Sequence, residues 1–432
     1  MKLAVASSTT SLWAFRFVLW YLCILLVQPQ NRFPVLWPFR IALVSMLVAM
    51  VLHLISSSQE GRPLIRFGPA SVTALILMFF AFVSNQFGAF QYGTGWNANI
   101  DIIVKNSICL ILIEAMATTV ERVWAVFATM LVATLWWIKG GLRLSSAGAT
   151  YAGDRLMGPA VSLIENPNGF AFMMALMIPI YLYFYQNSHI KWLRWGFLGC
   201  ALSAIYITLQ TGSRTGFLCL VAAGVFLLPK YGAKYKTTLI GIGIAVFLIS
   251  GTIGAMNMER YKTIGSSIAN FFSGDIEDKN PAEMTQDEQS AWERKMKNKH
   301  SWRLILEYPV FGVGVNKDDS KIPERLHFAT GQVHNDWLYI GVQLGFIGMG
   351  LYASFMACVF VFSARIQRET KKTWPALSDL GWTIKLMGVV FVVGGFFSPI
   401  GWNPLFMATA GAASALWLNY QNQSWNRATE RV

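Results

Sequence analysis

The sequence predicts an all-α polytopic membrane protein with about twelve membrane-spanning helices and one large hydrophilic loop containing short helices. Three observations carry that reading. Charged residues make up 13% of the 432-residue chain and apolar ones 54%, whereas soluble domains are about 25% charged. The apolar residues fall into repeated runs of about 20, the length that crosses a ~30 Å hydrocarbon core as helix. Lysine and arginine are also distributed unevenly between alternate connections, as in multi-pass proteins.

The runs lie at 12–27, 34–55, 69–89, 100–118, 121–138, 166–186, 193–211, 215–229, 238–256, 333–364, 380–399 and 402–419. Arg16 interrupts the first, and no small-residue cleavage site follows, so it reads as a retained helix. Run 333–364 is long enough to tilt or to begin above the membrane. Trp192, Trp195, Trp302, Trp337 and Trp402 sit near run ends, where aromatic anchors are expected. The chain therefore divides into helices one to nine (1–256), a large loop (257–332), and helices ten to twelve with a tail (333–432).

Orientation follows from charge. With both termini on one side, the connections on that side hold sixteen Lys and Arg, clustered at 62–66, 191–194, 230–236, 365–372 and 427–431. The short connections opposite hold five: Arg32, Lys139, Arg143, Arg155 and Arg214. The positive-inside rule makes both termini cytoplasmic and the long loop periplasmic, in a bacterial inner membrane; long loops escape the rule, so its own basic residues do not count against this. The net charge of +13 then reflects cytoplasmic loops and no nucleic-acid partner. Cys23, Cys109, Cys200, Cys219 and Cys358 all lie in or beside apolar runs, which predicts small buried hydrophobes and no thiolate metal site.

Chemistry is expected in the loop and the helix ends around it. Arg214 stands in a tight polar turn, Thr211-Gly-Ser-Arg-Thr-Gly216. A charge there needs a partner or an anionic ligand, and a guanidinium fork suits a diphosphate. Residues 291–308 read as a basic helix stopped by Pro309, with Arg294 and Lys297 on one face and Lys299 and Arg303 on another shared face. The Gly312-Val-Gly314 turn that follows is a weak candidate for a phosphate cradle. His334 opens the next helix, where the positive end of the dipole disfavours imidazolium. A neutral imidazole there could act as general base on a sugar hydroxyl. Asp318-Asp319 is a tight acidic pair in the loop with no convergent third ligand near it in sequence, so arginines rather than a metal are expected to supply positive charge and no cofactor is expected.

Four motifs in order resemble the O-antigen ligase and polymerase superfamily across about residues 160–350. These are Gly212-Ser-Arg-x-Gly216, Arg294 fifteen residues before Pro309, Pro309-x-Phe-Gly-Val-Gly314, and His334-Asn-x-x-Leu338 with the later Gly345-x-x-Gly348. Glu165-Asn-Pro-Asn168 resembles that family's opening of a central helix. The resemblance implies transfer of a glycan from undecaprenyl diphosphate at the periplasmic face. His334 would be the base, with Arg214, Arg294 and Arg303 on the diphosphate and Asn166, Asn168 and Asn335 near substrate. A chain of this length without an appended soluble domain looks most like the ligase that uses lipid A–core as acceptor. Gln343 departs from the family, many of whose members carry Glu there, and receives no catalytic role. A polymerase using the same donor is the nearest alternative. A lipid-linked glycan transporter is the alternative of another class, and it predicts inverted repeats where this sequence has one asymmetrically placed loop.

Overall fold

A computed structural model describes residues 8–148, 150–151, 155–159, 164–231, 284 and 286–429. Twelve long helices lie within them: α1 Thr9–Val27, α2 Ile41–Glu60, α3 Pro69–Phe87, α4 Ala98–Met116, α5 Val120–Ser146, α6 Pro167–Asn187, α7 Lys191–Gln210, α8 Arg214–Tyr231, α9 Gln286–Glu307, α10 Asp336–Thr370, α11 Pro375–Gly395 and α12 Pro404–Thr429. All but α9 correspond to apolar runs. The run at 238–256 lies outside the described residues, as does most of the acidic stretch 275–288. Eight of the described helices are long and apolar enough to cross a membrane. The chain is an all-α polytopic membrane protein, to which the structure adds one two-stranded hairpin, Thr150–Tyr151 with Arg155–Leu156.

Local chemistry sets the helix starts. Asn97, Thr119, Asn166 and Asn335 accept backbone N–H bonds in the first turns of α4, α5, α6 and α10. Pro69, Pro167, Pro375 and Pro404 open α3, α6, α11 and α12, at the position where a missing N–H costs nothing. The second run begins later than its hydropathy suggests, because Pro34–Leu36 is a 3-10 turn and α2 starts only after Arg40.

Helix α6 and the span of α12 from Pro404 to Trp417 are buried almost all round, so they form the centre of the bundle. Small residues allow this. A Cβ on Gly411 of α12 would stand 2.7 Å from the Leu110 carbonyl oxygen of α4, a separation that only close backbone packing produces. At one end of the bundle, Glu114 accepts bonds from the Gly68 and Ser71 N–H groups (2.8 and 3.3 Å), which ties α3 to α4.

At the other end the described part of the loop docks. Residues 312–318 pair with 88–92 through Ala89 N to Gly312 O (3.2 Å), Phe90 N to Val313 O (3.0 Å) and Asp318 N to Phe90 O (2.7 Å). A small core of Leu304, Ile305, Val313, Ile322, Leu326, Ala329 and Val342 holds α9 over them. The Gly312-x-Gly314 turn is not an anion cradle. Its N–H groups bond the Tyr308, Val342 and Gln343 carbonyls (3.2, 2.8 and 3.1 Å) and have none to offer a ligand. Buried Gln343 likewise bonds the Val315 carbonyl, a structural role.

Helix α10 does not run straight. Gly345 has φ +65 and ψ −166, which splits it into a short opening segment and a long span. The Phe346 N–H released by the break bonds Pro309 O at 2.7 Å. The proline after α9 and the glycine within α10 are therefore two halves of one contact.

Candidate active site

At the loop-bearing end, a cavity of about 560 Å³ opens among helix starts. Asn99 and Ile102 come from the first turn of α4, Arg155 from the hairpin, and Asn166 to Met173 from the start of α6. Gln332, His334 and Tyr339 come from the approach to α10, and Ser398 to Asn403 from the α11–α12 connection. Three of the helices whose N-termini point here, α4, α6 and α10, are capped by asparagine, and Asn403 accepts from Leu405 N (2.9 Å) at the start of α12. Helix N-termini carry about half a positive charge each, so this end is electropositive before any side chain is counted.

His334 lines the cavity two residues ahead of α10. Its pKa is pushed down from 6.5 to about 4, first by burial and then by the nearby Arg294 and Lys297 cations. The imidazole is therefore neutral, as the sequence suggested, but burial and two side chains stand where the helix dipole was invoked. Both cations reach it from the same face of α9, and a Cβ on Gly331 would lie 3.6 Å from Lys297 Nζ.

Asn166 and Asn168 both line the cavity. The first caps α6 by accepting from Gly169 N at 2.7 Å. The second accepts from Arg155 Nη2 (2.8 Å) and Ser213 Oγ (2.9 Å). Because arginine only donates, this fixes which side of the amide faces it. Arg155 Nε also donates to Thr211 O at 3.0 Å, so hairpin, α6 and the α7–α8 turn meet at one guanidinium. No spacing in the sequence marks Arg155, which stands out there only as one of five positives in short connections.

The Gly212-Ser-Arg-Thr-Gly216 turn now has a physical account. Gly212 takes φ +57, Ser213 links the turn to Asn168, and a Cβ on Gly216 would fall 2.4 Å from that of Ala171 in α6. Arg214 begins α8 immediately after Ser213, beside the cavity wall rather than on the wall itself.

Three expectations need correction. Arg303 is not gathered with Arg294. Nine residues are about two and a half helical turns, so the two project from opposite faces of α9, and Arg303 is exposed beside His300. Asn335 does not line the cavity, since its side chain caps α10 through Leu338 N at 3.1 Å. Trp402 is no membrane anchor. It lines the cavity, and its carbonyl accepts from Asn106. By contrast Trp192 and Trp195 are well exposed, as anchors should be. Asp318 and Asp319 pair with Lys321 (3.4 Å) and Lys317 (2.8 Å) and brace the loop.

Residues 198–353 match the family model described as O-antigen ligase. The match spans 156 of the 432 residues and supports assigning this segment to the O-antigen ligase and polymerase superfamily. It contains Arg214, Arg294, Arg303 and His334, while Arg155, Asn166 and Asn168 precede it and Ser398–Asn403 follow it. The O-antigen ligase segment therefore supplies His334 and the basic face of α9, and flanking helices complete the cavity. No curated protein matches the chain. The family match supports a membrane enzyme of the ligase or polymerase type and points to lipid-linked glycans as its substrate class.

Proposed function

We propose that the protein transfers O-antigen polysaccharide from undecaprenyl diphosphate to a hydroxyl of lipid A–core at the periplasmic face. The observation that carries this reading is the convergence of a neutral imidazole, His334, with Arg155, Asn166 and Asn168 round one cavity, and with Arg294 and Lys297 beside it. The acceptor oxygen forms a bond to the anomeric carbon, and the bond from that carbon to the diphosphate breaks. The proton of the acceptor hydroxyl passes to His334. Undecaprenyl diphosphate leaves with negative charge that Arg155, Arg214 and Arg294 stabilise, which is the contribution oriented donors make to a transition state. No step calls for a metal.

This assignment accounts for a base weakened by neighbouring cations. Burial lowers the imidazole pKa first, Arg294 and Lys297 lower it further, and a diphosphate bound between these cations offsets their share. His334 then becomes more basic when donor is present. The pKa in the pH profile of kcat, which reports the enzyme–substrate complex, should exceed that in kcat/KM, which reports the free enzyme. Identical values in the two profiles would detach His334 from the diphosphate site.

Purified protein incubated with undecaprenyl-diphosphate glycan and lipid A–core tests the reaction. Glycan-extended lipid A–core is the expected product. Extension of a second lipid-linked glycan instead would assign the protein as a polymerase.

Arginine replacement tests the leaving-group role. Lysine cannot reproduce forked contacts, so Arg155→Lys and Arg294→Lys should each reduce turnover by about 10²–10³-fold. Full activity in Arg155→Lys would leave that residue only its bonds to Asn168 and Thr211.

Orientation is tested by cysteine labelling from outside intact cells. A cysteine at Ser290 should react and one at Ser424 should not, as the charge asymmetry between the two bundle ends requires. The opposite pattern would place the cavity on the cytoplasmic side and end the proposed reaction.

A further inference from the structure

Asp336 is 1% exposed and takes no part in the chemistry above. Its Oδ1 accepts from the Ile400 and Gly401 N–H groups at 2.9 and 2.6 Å, and its Oδ2 from the Tyr352 hydroxyl. Those donors belong to two different bodies. Ile400 and Gly401 lie in the α11–α12 connection that forms one wall of the cavity. Tyr352 lies in α10 beyond the break at Gly345, whereas Asp336 lies before it. A single carboxylate thus joins the opening turn of α10, the membrane-spanning part of α10, and the 398–403 wall of the cavity that His334 also lines. The slot is tight: a Cβ on Gly401 would come within 2.9 Å of Oδ1, and one on Gly395 within 3.3 Å of the Asp336 Cβ.

We infer that Asp336 is a positioning residue that latches the 398–403 wall to the His334-bearing helix start and thereby sets the width of the cavity. This rests on the proposed reaction for its kinetic consequence and on geometry alone for its structural one. Hydrogen bonding, rather than charge, does the holding. Asparagine keeps an acceptor for both N–H groups, and its NH2 can donate to Tyr352 once that hydroxyl rotates. Alanine loses every bond, and glutamate is one methylene too long for the slot between Gly395 and Gly401.

The test uses full-length protein in nanodiscs, with two readouts: steady-state transfer, and the rate at which diethylpyrocarbonate modifies His334, read by mass spectrometry. Asp336→Ala and Asp336→Glu should lower kcat by about 10²-fold, the cost of an ångström-scale misplacement. The donor KM should hold, while His334 modification accelerates. Asp336→Asn should behave like the parent in both assays. Parental kcat and parental labelling in the alanine variant would overturn the latch, as would an asparagine variant as impaired as alanine. Should the alanine variant fail to fold, Gly401→Ala decides, because its methyl crowds the carboxylate off the wall. Faster labelling of His334 supports the latch and unchanged labelling refutes it. Labelling needs no substrate, so a parent protein that transfers nothing would sink the proposed reaction while the latch remained decided.

Discussion

Replacing His334 with alanine is expected to lower turnover by about 10²–10⁴-fold, the usual yield of general-base catalysis, with donor binding nearly unchanged. The expectation follows from its place on the cavity wall and from a neutral ring at working pH. A ligation assay beside a binding assay with undecaprenyl-diphosphate glycan, on membranes matched for protein level, checks it. Normal turnover would remove the base, and lost donor binding would make His334 a recognition residue. Stability carries a second signature with a defined sign. The folded pKa of about 4 lies below the ordinary 6.5, so between these values the unfolded chain binds more protons. His334 therefore contributes stability that is complete above about pH 6.5 and declines as pH falls towards 4. The alanine variant should lose less stability than the parent when pH is lowered through that window, measured as thermal unfolding in detergent.

Gly345→Ala should be strongly destabilising. Its backbone, φ +65 and ψ −166, is a conformation essentially restricted to glycine, at a cost of about 1–3 kcal/mol to other residues. The added Cβ would also stand 2.4 Å from Pro309 O, an overpacking that costs about 1–3 kcal/mol more. Since net stabilities are about 5–15 kcal/mol, a large fall in unfolding temperature and in membrane protein level is expected. Gly350→Ala is the control. It lies in the same helix with open space at its Cβ position, and alanine is the better helix former by about 1 kcal/mol. Equal behaviour of the two variants would show that the break at Gly345 is not required.

Helix positions were readable because the signals that make them are local. Apolar runs of membrane length, asparagine and threonine caps, and prolines at first positions act within a few residues of themselves. The basic helix ending at Glu307 and stopped by Pro309 was legible for the same reason. So were the shared face of Arg294 and Lys297 and the family resemblance of the segment that the O-antigen ligase model matches. The Gly-Ser-Arg-x-Gly motif was legible as a pattern, but its physical reason was not. That reason is the contact of Gly216 with Ala171 and of Ser213 with Asn168, on a helix one removed in the chain.

The chain itself determined an all-α polytopic architecture and a set of polar residues at one end of it. Tertiary structure alone decided which of those residues meet. It brought Arg155 and the 398–403 connection to His334, and gave the Val313 and Gly314 amides to the Val342 and Gln343 carbonyls. It also placed the break in α10 at Gly345 and used Pro309 O to satisfy it. The division has one cause. Helix formation and membrane burial are governed by free energies of short segments, which sequence pattern reports directly. A cavity wall is built by hydrogen bonds between residues distant in sequence, such as Asp336 with Gly401 or Arg155 with Thr211, and no local periodicity encodes which helix ends will be neighbours.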